Sequence, residues 1–544
     1  RTADSKALRA LGAQMQCRGQ PVVAAGTGFV ARDQRRHRLH EEDQQQMRMF
    51  TAGTSLDGRV VLSANQEQMV VLHELDPLST TYHMPCIVEV TCSEAERASI
   101  ASKTPSCAYM LMCALALRHE GLRTRVDKRR MRHRRDSYDD GVALQCGLSS
   151  PAVSCVDICR VDKTSSIATL MAAEAAMQSV VWAPFDVLSS AWLRCGIVMP
   201  TNSVVGDEMR VTLVLAMHHI AGDEWSVNIL QREVTMLVQS SIRTGRVDHC
   251  HHPEELARTL PCLSVQYGDF AAWQNEWLPS VLEAQLAYWQ GVLGGEGGPG
   301  VLDVPTDFVR PKVQTFRGAS VTFQVDAGAA ILKRCQEVGA TMYMALLAAF
   351  GTVLSQNSRQ ESVCIGSPYA GRDEAGTRHV VGYFVNILAM VVEAEQLSST
   401  NGLLLLLSLL QQVRGTVLGA FEHSGVPFHR VVEALNVERD ASRTPVFQAM
   451  FVLNDDEAVD GIDKDGRADD NNKRNGTAAK FELTLFTVFL RSPGLVQGSL
   501  DYNVDLFDYV TAVRWSEQFC ENMRSRDVKT NGYIVTPVFS MCSS

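Results

Sequence analysis

Residues Leu213–Leu230, LVLAMHHIAGDEWSVNIL, pass from an apolar run through a pair of imidazoles into a helical pattern. The β-branched run VTLVLAM (211–217) predicts a buried strand. Apolar side chains at 227, 230, 234 and 237 predict a helix over 224–240. His218 and His219 therefore stand at the mouth of a strand, and Asp223 stands where a carboxylate can cap the helix. Ligands of α/β folds commonly bind in crevices beyond strand ends. An imidazole with its ordinary pKa of about 6.5 can take a proton there. A neighbouring carboxylate can orient the ring or anchor the turn. The same pattern also suits core or capping histidines, or a metal-binding corner. No G-x-S-x-G elbow accompanies it, which favours a histidine acting directly on a bound substrate over a covalent nucleophile.

The 544-residue chain is 46% hydrophobic and 21% charged, enough apolar material for a large core. A formal charge of -10 argues against nucleic acid as a partner. Fifteen cysteines without a C-x-x-C pair read as reduced thiols of a cytoplasmic protein. No basic region followed by an apolar one marks a secretory leader, and the chain starts at Arg1, as a fragment of a longer protein would. The greasiest run, LLLLLSLL (403–410), is too short for a bilayer that needs about 20 residues, so no membrane association is expected.

Residues 1–57 read as a mobile lead-in, 58–245 as a first lobe, 246–530 as a second lobe and 531–544 as a tail. Within them YHMPCIVEV (82–90) and SVCIG (362–366) predict strands, as does VGYFVNILAMVVE (381–393). YMLMCALALRHE (109–120) and TMYMALLAAFGTVLS (341–355) predict helices. GRVDHCHHPEELARTL (245–260) is a plausible boundary between lobes, and GGEGGPG (294–300) a flexible joint. KRRMRHRR (128–135) reads as a solvated basic loop. The adjacent ligands of HCHH (249–252) do not make a tetrahedral metal site. DGIDKDGRADDNNKRNGT (460–477) lacks the oxygen ladder of a calcium loop. Strands and helices alternate in both halves without a repeat, so an α/β protein of two similar lobes is expected.

At the histidine corner the chain resembles the condensation domains of nonribosomal peptide synthetases, whose HHxxxDG motif corresponds to His218–Asp223 followed by Glu224. The family's other signature stretches are matched in order. They are LSANQEQMVVL (62–72), RHEGLRT (118–124), YGDFAAWQ (267–274), VGYFVN (381–386), HSGVPFH (423–429) and RDASRTPVFQAMF (439–451). PFDVLSSAWLR (184–194), FRGA (316–319), IGSPYAGR (365–372) and LDYNVDLFD (500–508) share its texture.

The resemblance implies an α/β fold of two chloramphenicol-acetyltransferase-like lobes forming a V with a central tunnel. It implies peptide bond formation between a donor acyl or peptidyl thioester and an acceptor aminoacyl thioester. Both would ride on phosphopantetheine arms of carrier protein domains, upstream and downstream, within a larger multidomain synthetase. It points to His219 as the catalytic residue, as general base or hydrogen-bond anchor for the attacking amine. Backbone N–H groups at the start of the 224–240 helix could help hold the oxyanion. His218 and Asp223 are expected to be structural, with Arg372 or Arg317 as the partner of Asp223, and Arg118 as a support near the site. Gly222, Glu224, Trp225, Ser226 and Asn386 are candidates for the tunnel wall, and Trp273 for a packing anchor.

The chain departs from the pattern at Glu224, where the family has glycine and a positive φ or a tight wall would resist a side chain. It departs also at Asn65, Gln68, Val70, Val126, Ile387, Val391, Gly425 and His429. The competing readings are a degenerate carrier-binding module and a stand-alone HHxxxD acyltransferase. An epimerization domain would need a glutamate signature in the second lobe, and a heterocyclization domain would replace the histidines with aspartates.

Overall fold

The structure, a computed structural model, describes residues 59–92, 110–126, 145–148, 154–161, 178–188, 191–200, 209–244, 253–294, 298–326, 328–374, 376–394, 402–438, 440–454, 479–491, 494–523 and 534–538. The 1–57 lead-in, the basic cluster, HCHH and the acidic 460–477 segment lie outside these residues.

The chain divides into two compact units, the first comprising Arg1–Ser280 and Arg372–Phe384, the second Val281–Gly371 and Val385–Ser544. The division thus falls at Ser280 rather than near 245 or in the glycine run. Two pieces of the expected second lobe, residues 246–280 and Arg372–Phe384, belong to the first unit.

In the first unit, β1 (Arg59–Val61), β3 (Thr124–Val126) and β4 (Gln145–Leu148) form a sheet ordered β1-β4-β3. A second sheet, ordered β2-β7-β6-β5, contains β2 (His83–Cys92), β5 (Ser154–Val161), β6 (Leu193–Pro200) and β7 (Met209–His218). β7 pairs antiparallel with both β2 and β6. Leu213–Met217 are all at most 5% exposed, because this inner strand is covered on both faces. That is why its sequence runs continuously apolar instead of alternating. Helix α1 (Ala64–Leu75) starts in a capping box, with Ser63 Oγ accepting from Gln66 N and Gln66 Oε1 accepting from Ser63 N, both at 3.2 Å. Helices α2 (110–118), α3 (Glu224–Thr244) and α4 (Tyr267–Leu293) follow, α4 crossing the division next to Pro279.

In the second unit, β8 (Gly318–Asp326), β9 (Ser362–Tyr369), β10 (Asn386–Glu393), β11 (Ala449–Asn454), β12 (Leu483–Leu490), β13 (Leu495–Asn503) and β14 (Ile534–Val538) form one sheet. Its order is β10-β9-β11-β12-β13-β8-β14, with β11 parallel to both neighbours. Helices α5 (Gly328–Val338), α6 (Met342–Ser358), α7 (Gly402–Glu422), α8 (Phe428–Leu435) and α9 (Tyr509–Asn522) complete it. α6 is buried from Met344 to Ser355, which its all-round apolar sequence demanded. No single described helix is long and apolar enough to cross a membrane.

The strand expected over 381–393 begins only at Asn386. Val381–Phe384 belong to the first unit, where the side chains of His119, Ser226 and Asp223 accept from the backbone N–H groups of Val381, Gly382 and Phe384.

Candidate active site

The histidine corner is a tight turn tied at every step. His218 ends β7 and its N–H donates to Trp192 O at 2.9 Å, while His219 N–H donates to Tyr82 O at 2.9 Å. Ala221 N–H returns to His218 O at 2.9 Å and Gly222 N–H to His219 O at 3.3 Å. Gln66 of α1 donates from Nε2 to Ile220 O at 3.0 Å, which joins the first signature stretch to the histidine motif. A Cβ on Gly222 would stand 2.8 Å from both Met217 Cε and Ser226 Cβ, so close packing demands glycine there.

His218 is 4% exposed, and its Nδ1 accepts from Ile220 N at 3.1 Å. That fixes the proton on Nε2. Burial pushes the ring pKa down to about 3, helped by His83, His219, His73 and Arg194. His218 is therefore a neutral member of the turn. His219, half-buried, is held through its backbone and packs its ring against Tyr383, with centroids 4.7 Å apart and planes at 60°.

Asp223 is 3% exposed and performs two tasks with its two oxygens. Oδ1 accepts from Ser226 N at 2.9 Å, the N-cap bond of α3, and from Ser226 Oγ at 2.7 Å. Oδ1 also takes Arg372 Nη2 at 2.8 Å, and Oδ2 takes Phe384 N at 3.1 Å. Arg372, 4% exposed, donates besides to Thr377 O and Val380 O at 2.7 Å, to Ser226 Oγ at 2.9 Å and to Gly382 O at 3.3 Å. Its guanidinium lies 4.2 Å from the Phe384 ring centroid. The choice left open in the sequence thus falls to Arg372. Arg317 is 71% exposed on its side chain and pairs with Asp505 at 2.7 Å in the second unit.

Arg118 is paired with a buried carboxylate that the sequence did not reveal. Its Nε donates to Glu233 Oε1 at 2.8 Å, and His119 Nε2 donates to Glu233 Oε2 at 2.8 Å. Burial alone would raise the Glu233 pKa, but His119 and Arg118 outweigh it and hold the carboxyl below its ordinary range. Glu233 lies on α3, 115 residues from Arg118, with no local motif to mark it.

The other candidates separate. Ser226 sits inside the Asp223–Arg372 cluster. Trp225 is 44% exposed and donates its indole N–H to Arg378 O at 3.0 Å. Glu224 is exposed at the first position of α3 and does not hold the positive φ that would have required glycine. Asn386 is committed elsewhere: Nδ2 donates to Ser424 O and Val426 O at 2.9 and 2.7 Å, and Oδ1 accepts from Phe428 N at 3.1 Å. Its side chain thus fastens the HSGVPFH stretch (423–429) within the second unit. Trp273 stacks on Trp277 at 5.0 Å and 12°, as a packing anchor does. Val126 and Val391 are 5% and 7% exposed, and Val126 packs within the apolar core of the first unit.

The family model for the condensation domain matches residues 57–526, and the chain belongs to that family. Its curated relatives are peptide synthetases. A component of the linear gramicidin synthase of Brevibacillus parabrevis is 33% identical over 75% of this chain and 7% of that protein. A component of the plipastatin synthase of Bacillus subtilis (strain 168) is 32% identical over 86% of this chain and 16% of that protein. Malpinin synthetase of Mortierella alpina is 30% identical over 86% of this chain and 5% of that protein. The chain therefore spans a small part of the proteins it matches.

Among solved structures, the X-domain from teicoplanin biosynthesis aligns with TM-score 0.64 and 20% identity, covering 86% of this chain and 95% of that one. The condensation domain of Monacolin K polyketide synthase aligns with TM-score 0.60 and 18% identity, covering 86% and 96%. The epimerization domain from the third module of tyrocidine synthetase B aligns with TM-score 0.58 and 14% identity, covering 86% and 98%. These likenesses establish the chloramphenicol-acetyltransferase-like α/β fold.

Proposed function

We propose that this chain is a catalytically competent condensation domain that joins two thioester-bound substrates through an amide bond. One observation carries the reading. His218 and Asp223 hold the turn, and His219 follows the end of β7 with its backbone fixed and its imidazole set against the Tyr383 ring, as a group kept in place for chemistry would be.

The reaction is acyl transfer. The acceptor amine attacks the donor thioester carbon, a C–N bond forms, and the C–S bond breaks. The proton lost by nitrogen passes to the His219 imidazole and leaves with the donor thiol. A thioester is already activated, so positioning the two reactants and handling that proton are the main tasks left to the protein. The substrates arrive on phosphopantetheine arms of carrier domains, upstream for the donor and downstream for the acceptor. In this reading the chain works within a larger synthetase in the cytoplasm.

The test is a two-carrier assay with defined acyl and aminoacyl arms and product detection by mass. His219→Ala should remain folded and lose amide formation by about two to four orders of magnitude. A folded parent that forms no amide with any donor and acceptor pair would instead identify a carrier-binding module without chemistry. Transfer to a free amine or alcohol without an acceptor carrier would identify a stand-alone acyltransferase.

A further inference from the structure

The segment Val381–Tyr383 has no regular secondary structure, so its backbone polar groups depend on side chains. Val381 N–H donates to His119 Nδ1 at 3.3 Å. Gly382 N–H donates to Ser226 Oγ at 3.1 Å. Tyr383 O accepts from Tyr267 Oη at 2.8 Å, and Tyr267 Oη in turn pairs with Ser63 Oγ at 2.7 Å. The residue so fastened, Tyr383, is the one whose ring lies against His219.

His119 is suited to hold a fixed position. It is 0% exposed, and burial lowers its pKa, so the ring is neutral. Because Nδ1 accepts from Val381, the proton is on Nε2 and goes to Glu233. Both nitrogens are committed, which leaves one tautomer and one ring orientation. Tyr267 meets the segment from another side. A Cβ on Gly382 would stand 1.9 Å from Tyr267 Cδ2, so the absence of a side chain at 382 is what lets the phenol reach Tyr383 O.

We propose that His119 and Tyr267 are positioning residues for the condensation reaction, setting the Tyr383 ring against His219 through the backbone of Val381–Tyr383. This rests on His219 being the group that meets the amine. Neither His119 nor Tyr267 touches substrate in this assignment. They set the orientation of the imidazole and the width of the space beside it, which an arriving amine must fit.

Two nearly isosteric replacements separate positioning from bulk packing. In His119→Asn the side-chain oxygen stands where Nδ1 stood and still accepts from Val381 N–H. In His119→Gln the amide nitrogen stands where Nε2 stood, keeping Glu233 but giving up Val381. His119→Gln should lower kcat about tenfold at saturating carriers, with acceptor KM changing less than about threefold, and His119→Asn should restore most of that loss. A second readout needs no turnover. The ring 1H–13C signals of His219, assigned by their loss in His219→Ala, sense the ring current of Tyr383. They should move in His119→Gln and in Tyr267→Phe and stay in His119→Asn. Unmoved His219 signals in His119→Gln and Tyr267→Phe, or equal disturbance by both His119 variants, would overturn the proposal. If the His119 variants do not fold, Tyr267→Phe, which removes one hydroxyl, decides by itself. A parent silent in the two-carrier assay would refute the catalytic reading while leaving the spectral test intact.

Discussion

Replacing Asp223 by alanine should be among the most damaging single changes in the first unit. The carboxylate is 3% exposed and receives Ser226 N, Arg372 Nη2 and Phe384 N. Its loss leaves the buried Arg372 guanidinium without a counter-ion, which costs roughly 3–5 kcal/mol. The lost N-cap, worth about 1 kcal/mol in other helices, is part of that figure. Taking about 4 kcal/mol with a urea slope of about 3 kcal/mol/M, the midpoint should fall by more than about 1 M. Asp223→Asn keeps Oδ1 for Ser226 but turns an amide donor towards Phe384 N–H, so it should lose about half as much. Removing both charges, in Asp223→Ala with Arg372→Met, should destabilise less than the sum of the single changes. Equilibrium urea unfolding followed by tryptophan fluorescence measures the parent, Asp223→Ala, Asp223→Asn, Arg372→Met and the double variant, and Trp225 reports locally because its ring centroid lies 5.8 Å from the Arg372 guanidinium. A cost below about 1 kcal/mol for Asp223→Ala, or strict additivity in the double variant, would refute the idea that this pair organises the corner.

Other expectations follow from the same geometry. Arg317→Ala removes a pair whose arginine side chain is 71% exposed, so thermal unfolding should move by less than about 1 kcal/mol and amide formation should stay at the parental rate. Gly382→Ala sets a methyl group 1.9 Å from the Tyr267 ring, and denaturation should show a loss of about 2–3 kcal/mol together with a shifted His219 signal. Acid should destabilise the first unit through His218. Its folded pKa of about 3 lies below the unfolded value of about 6.5, so the unfolded chain binds the extra proton between those limits. The contribution is complete above pH 6.5 or so and shrinks by up to about 1.4 kcal/mol per unit as pH falls towards 3. His218→Asn, which keeps an acceptor for Ile220 N–H, should flatten that part of the stability curve, and an unchanged slope would contradict the buried neutral ring.

The elements around the corner were legible because their causes are local. The apolar run before His218 read as a buried strand and the period after Asp223 as a helix that a carboxylate can cap, and the structure has both. The signature stretches, their order and the α/β class were likewise present in one dimension. Glu224 raised a concern about backbone conformation that the helix start removes, since a first helical position accepts a carboxylate readily. Less legible were the strand start at Asn386, the division at Ser280 and the role of Asn386. Each depends on what a segment finds to bond with, and sequence periodicity carries no information about that.

Residue types and their spacing along the chain determined that a strand, two histidines and a capped helix would follow one another, because propensity, apolar period and capping act over a few residues. Only the folded chain decided which arginine meets Asp223, that Glu233 joins Arg118 to His119, and that Tyr383 lies on His219. Those contacts join residues 114 to 164 positions apart, where a hydrogen bond at 2.8 Å or a ring against a ring is a property of packing in three dimensions.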